Sequence, residues 1–149
     1  MTVQIFDPCI HIENASAILD NGAWPNFHDA IIYTLNFWRG DIRPDEEKWI
    51  FPVIDASFAL DALQFPYVVD LRFHDCQDIR LNHFDHNNDI YGLSFAFEQR
   101  GYYADGITPL PPYVRVVLER EPDQLPMLEF RCFRVEALGR RDVPEPPCR

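Results

Sequence analysis

The 149-residue chain predicts a mainly antiparallel β domain, its sheet folded on itself as a sandwich or open barrel, with one short N-terminal helix. Three observations carry that expectation. Apolar and polar residues alternate in several short runs, the period of a strand with one face buried. Clusters of Gly, Pro, Asn and Asp punctuate these runs about every 8 to 12 residues. Only one stretch reads as helix.

In chain order, residues 2–6 (TVQIF) read as a short strand ended by Asp7-Pro8. Residues 13–20 (ENASAILD) hold good helix formers and stop at Asn21-Gly22, a helix-ending pair. The Trp24-Pro25-Asn26 break precedes residues 29–38 (DAIIYTLNFW), where Ile31, Tyr33, Leu35 and Phe37 share one strand face. Residues 40–48 (GDIRPDEEK) form a charged turn. Residues 49–58 (WIFPVIDASF) are apolar on both faces, and Pro52 makes them an edge strand or forces a bulge. Residues 59–66 are either a helical turn or a loop.

The clearest alternation is at residues 67–74, with Tyr67, Val69, Leu71 and Phe73 facing in and Val68, Asp70, Arg72 and His74 facing out. A less regular strand follows at 76–84, then a turn at 85–89 (DHNND), then a strand carrying Tyr91, Leu93, Phe95 and Phe97 on one face. Residues 100–112 (RGYYADGITPLPP) are too rich in Gly and Pro for regular structure and form a long loop. Strands at 113–120 and 127–136 complete the sheet. Residues 1–139 make one domain, and 140–149 (RRDVPEPPCR) a frayed tail.

Charge is unevenly spread. Residues 1–99 carry 16 Asp and Glu against 5 Lys and Arg, whereas 100–149 carry 8 against 8, so the net charge of −11 lies in the first two thirds. Such a surface argues against nucleic-acid binding, which depends on basic residues displacing counterions. It suits a cationic protein partner, although acidic surfaces also simply keep proteins in solution. Cys9, Cys76, Cys132 and Cys148 form no CxxC pair, and the first residues lack a signal-peptide pattern. The expectation is free thiols in a reducing cytoplasm. No run approaches the roughly 18 apolar residues of a membrane-spanning helix, so no membrane partner is expected.

Two chemical readings compete with a purely structural one. His83 and His86 flank Asp85, with His74 and Asp75 nearby in sequence, and offer metal-ligand atoms; their strand and turn positions lack the one-face geometry of a helical HExxH. His28-Asp29 and His74-Asp75 pair an acid with a base, yet adjacent strand residues point to opposite faces. The blander account has His28 and Asp29 satisfying loop backbone groups beneath an aromatic cluster of Trp24, Phe27 and Phe37. No Gly-rich phosphate loop, GxSxG or Cys-His nucleophile signature is present. Of the exposed-aromatic candidates for partner contact, Tyr102 and Tyr103 stand out because they lie in a loop, whereas Trp24 and Trp49 suit core packing better.

WPNFHDAIIYTLNF at 24–37, followed by VDLRFHDCQDIRLNHFDHNNDIYGLSF from residue 69, resembles the immunity protein 50 family of bacterial polymorphic toxin systems. The likeness covers residues 24–97. Its marks are Trp24, Pro25, Phe27, His28 and Asp29 in the turn, Phe73 at a strand end, Phe84 closing Leu-x-x-Phe, and Asn88 before the Ile90 to Leu93 strand. Ile31 stands where an acidic residue often follows in that family, and residues 40–66 are long for it.

The resemblance implies a cytoplasmic, non-enzymatic binder that needs no cofactor or metal and blocks a cognate toxin domain stoichiometrically. A basic, nuclease-like toxin would fit the acidic surface, with Asp41, Asp45, Glu46 and Glu47 as candidate partner-binding residues beside Tyr102 and Tyr103. Two rival expectations remain: a small metal-dependent hydrolase using His74, His83 and His86 (with His28), and a small-ligand β barrel with Tyr91, Phe95 and Phe97 lining a cavity.

Overall fold

The computed structural model describes residues 4–39, 51–60, 67–85 and 89–142. The chain is mainly β, as expected. Eight strands are described: β1 (Ile31–Trp38), β2 (Val53–Leu60), β3 (Tyr67–His74), β4 (Gln77–Leu81), β5 (Gly92–Glu98), β6 (Tyr113–Glu119), β7 (Leu128–Cys132) and β8 (Arg134–Asp142). They form two antiparallel sheets of order β1-β2-β3-β8 and β4-β7-β6-β5.

The sheets share a bent ribbon. β3 continues into β4 through Asp75 and Cys76, and β7 into β8 through Phe133, while β3 pairs with β8 and β4 with β7. At the corner the Phe133 N–H donates to the His74 carbonyl at 3.1 Å. Asp75 turns the chain there with φ 57, a left-handed conformation Asp tolerates better than most residues. Among the described residues the far edges meet only around the isolated Ile31–Asp89 bridge, and the sheets form a sandwich rather than a closed barrel.

The core lies between the sheets. Phe58, Leu71 and Phe73 face Val116, Leu118 and Phe130, all at most 2% exposed, and the Phe73 and Phe130 rings meet edge to face at 4.9 Å. Truncating such a Phe typically costs about 3 to 5 kcal/mol. The inward set of β3 is as its alternation predicts, although Val68 on the opposite face is also fully buried.

Several elements differ from the sequence reading. Residues 4–6 are not a strand, and Asp7-Pro8, expected to end one, starts a helix: α1 (Pro8–His11) has Asp7 accepting the Cys9 N–H and Pro8 in its first turn. The helix expected at 13–20 is reduced to a 3-10 turn at Ala15–Ala17. Asn14 is left-handed at φ 59, and Glu13 bridges alongside Glu136 of β8, which takes its backbone out of any helix.

β1 carries a bulge between Ile32 and Thr34. That extra residue shifts the strand's faces: of the four residues expected to share an apolar face, Leu35 packs on the core and Phe37 follows it at 41% exposure, whereas Ile31 and Tyr33 are displaced to 49% and 47% and Ile32 is buried in their place. β2 is interior and β1 the edge, because Pro52 lies just before β2 and removes no ladder donor; its carbonyl accepts the Cys76 N–H at 2.8 Å. The strand expected at 127–136 is two strands on different sheets. The expected tail is a strand as far as Asp142, with Arg140 lying over the Tyr67 ring at 4.1 Å.

Candidate partner-binding surface

Residues 101–110 project from the β5–β6 connection as a self-paired hairpin. Gly101 O accepts the Leu110 N–H and Thr108 O the Tyr103 N–H, both at 2.9 Å, and Tyr102 bridges Pro109. At the tip, Asp105 Oδ1 accepts the Ile107 and Thr108 N–H groups at 2.9 Å each, and Oδ2 the Thr108 hydroxyl at 2.6 Å. The Thr108 hydroxyl first, then the two backbone donors, hold the Asp105 carboxyl below the ordinary carboxylate range. Gly106 supplies the positive φ of 69 that the turn requires. The glycines and prolines read as excluding order thus sit at the turn and the base, and leave a hydrogen-bonded ladder between them.

This hairpin borders a groove of about 860 Å³ lined by Phe97, Tyr102, Tyr103, Ile107, Leu110 and the prolines Pro109, Pro111 and Pro112, with the amides of Gln4 and Gln99. None of these lining residues is charged. Tyr102 and Tyr103 are each 51% exposed and Ile107 80%, so much apolar surface faces water. Both tyrosines singled out from the sequence therefore border one surface.

The base of the hairpin is clamped by Arg100. Its guanidinium lies 4.8 Å from the Tyr113 ring centroid and 4.7 Å from that of Phe133, and Nη1 donates to the Pro111 carbonyl at 3.3 Å. Sequence reasoning singled out Phe97 for a ligand cavity but missed Arg100 and Ile107, since only the fold brings β6 and the β7–β8 corner against this loop.

The turn at residues 24–30 lies elsewhere and faces inward. Pro25 and Phe27 are buried, and Trp24 packs on Phe27 at 5.5 Å and on Phe95 at 6.0 Å, with Phe27 on Phe58 at 5.3 Å. Phe37, expected in this cluster, is not in it: it pairs with Ile54 near the far end of edge strand β1, and its ring is 41% exposed. His28 Nδ1 donates to the Tyr91 carbonyl at 2.6 Å, the Asp29 N–H to Ile90 O, and the Ile90 N–H to Ala30 O, both at 2.9 Å. The Tyr91 N–H in turn donates to Glu119 O at 2.6 Å. The turn therefore joins the start of β1 to the entry of β5 and the end of β6. Phe73 is fully buried, whereas Phe84 is 47% exposed. Asn88, His86, Asp41, Asp45, Glu46, Glu47 and Trp49 lie outside the described residues.

His74 and His83 sit in separate pairs. His74 Nε2 lies 2.9 Å from Glu136 Oε1, and His83 Nε2 lies 3.1 Å from Asp85 Oδ1. The length of β4, about 13 Å at strand rise, stands between them. Among the described residues no three His, Cys, Asp or Glu side chains are grouped to hold a metal ion. Cys76 and Cys132 are buried free thiols, and burial pushes Cys76 up to about 12 and raises Cys132 as well. No described helix is long and apolar enough to cross a membrane. Comparison of the chain with models of known families, with curated proteins and with solved structures returns no match.

Proposed function

We propose that the chain is a non-enzymatic, immunity-like protein of the bacterial cytoplasm that binds a cognate toxin domain and blocks it stoichiometrically. The observation that supports this most is the uncharged groove beside Tyr102 and Tyr103, an exposed apolar surface on a chain of net charge −11. Uncharged walls fit an apolar segment of the toxin, with the two tyrosines as anchors. The acidic surface steers a basic toxin toward the groove, and the groove holds it.

Co-expression with the toxin domain encoded beside its gene is the direct test. The expected result is relief of growth arrest together with an equimolar complex on size-exclusion chromatography. Relief without a complex, or turnover of a substrate by the chain alone, would overturn the reading. Charge reversal of Asp41, Asp45, Glu46 and Glu47 is expected to slow association about tenfold or more at low salt and far less at high salt. An unchanged association rate would reduce the acidic stretch to a solubility role.

One observation favours a second reading, a small apolar ligand: about 860 Å³ lies within the roughly 300 to 1,000 Å³ of ligand pockets. Of the three residues expected to line a ligand cavity, only Phe97 borders the groove. Phe95 packs on Phe6 and Trp24, and Tyr91 on His28. Co-purification of a small apolar molecule that competes with the toxin domain would separate the two.

A further inference from the structure

We infer that Arg100 is a positioning residue that holds the 101–110 hairpin, and with it the groove, in a preformed binding shape. This rests on the reading of the groove as the partner site. The hairpin's own hydrogen bonds fix its internal geometry but do not orient it on the sandwich. Among the described residues its hydrogen-bonded connections to the body run through the two chain segments at its base, and Arg100 ties these together: it belongs to the outgoing segment and donates to Pro111 in the returning one.

Arg100 also ties the base to the body. Its guanidinium is close to both Tyr113, the first residue of β6, and Phe133, the hinge between β7 and β8, whose rings lie 5.1 Å apart. The hairpin is thereby referenced to the corner where the two sheets exchange strands. Nε is buried without a hydrogen-bond partner, so contact with the rings and the single Nη1 bond hold the group. A planar guanidinium can stack on a ring and donate sideways at once, whereas an ammonium cannot. Nearby Arg131 does not duplicate the role, because it is engaged by Glu98 at 2.6 Å and Asp78 at 2.7 Å and lies farther from Tyr113, at 5.8 Å. Pre-organisation of this kind raises affinity by removing an ordering cost at the moment of binding.

The test compares wild type, Arg100→Lys and Arg100→Ala in the free protein and in the complex. Chymotrypsin cleavage after Tyr102 and Tyr103 is expected to quicken about tenfold or more in both variants. Amide exchange at Tyr103 and Leu110 should rise by a similar factor while Val116 in β6 keeps its protection. Wild-type cleavage in both variants would overturn the inference, and so would an equal loss of protection at Val116, which would make Arg100 a support of the core. In the complex, Arg100→Lys should weaken toxin binding about tenfold. An open hairpin with unchanged affinity would also overturn the positioning role. Failure of the wild-type chain to bind any toxin domain would sink the functional reading instead, while the cleavage and exchange data still decide whether Arg100 holds the hairpin.

Discussion

The turn at residues 27–30 and the hairpin at 101–110 are both irregular connections, and they are built in opposite ways. The turn closes on itself once, Ala30 N–H to Phe27 O, but sends the Asp29 N–H and Ala30 O to Ile90 in another segment, and its largest side chain, Phe27, inward to 4% exposure. The hairpin sends its backbone bonds to itself and leaves Tyr102, Tyr103 and Ile107 in water. A loop that joins other elements is architectural, and its loss is felt as stability. A loop that satisfies its own backbone frees its side chains for a partner, and its loss is felt as binding. The Phe-His-Asp motif, the most conspicuous pattern in the sequence, belongs to the first kind.

The sharpest way to break this contrast is Phe27→Ala. Phe27 touches Trp24 and Phe58, and its removal leaves a cavity where the turn meets the core. The expected loss is about 3 to 5 kcal/mol in urea unfolding, a large share of a small domain's stability. A loss below about 1 kcal/mol would mean that the turn is not part of the core. The complementary change is Tyr102→Ala with Tyr103→Ala: stability should stay within about 0.5 kcal/mol, while toxin binding falls about 100-fold or more, or roughly 3 kcal/mol. Unchanged binding would move the partner site away from the hairpin.

His28 tests a finer point. Its ring is half exposed, and its ion pair with Asp29, at 3.6 Å between exposed groups, contributes little. Its bond to the Tyr91 carbonyl adds a side-chain link to the two backbone bonds that join the turn to the entry of β5. His28→Ala should therefore cost about 1 kcal/mol in unfolding, and His28→Gln less if its amide reaches the same carbonyl. A loss several times larger would point to a role beyond that single bond.

The sequence was most legible where one local pattern decided the structure. Tyr67, Val69, Leu71 and Phe73 alternate cleanly, and β3 buries that set. It was least legible where a distant partner decided. The bulge in β1 exists only relative to β2, so Ile31 and Tyr33 read as sharing a face with Leu35 and Phe37 that they do not share. The helix expected at 13–20 gives way because Glu13 bonds to β8, more than a hundred residues away. Nothing local marks Phe133 as a change of sheet; the run from 127 to 136 is unbroken in pattern, and the pairing with β3 and β4 imposes the corner. For the same reason Tyr102 and Tyr103 were readable as exposed aromatics, while the groove they border was not.

The hairpin's self-sufficiency predicts a pH response seated in its own tip. Asp105 accepts its bonds best as a carboxylate, so its folded-state pKa lies below the ordinary 3.8. A depressed value means that the contribution is present above 3.8 and is lost as pH falls through the lower folded value. The Ile107 and Thr108 amide resonances should therefore titrate with a midpoint below 3.8, while that of the buried Val116 in β6 stays still until the whole domain unfolds. Because Asp105 is exposed, Asp105→Ala should leave overall stability unchanged and raise chymotrypsin cleavage at Tyr102 and Tyr103. A midpoint at or above the ordinary carboxylate value would show that the tip is held without its carboxylate. The groove would then owe its shape to the Arg100 base alone.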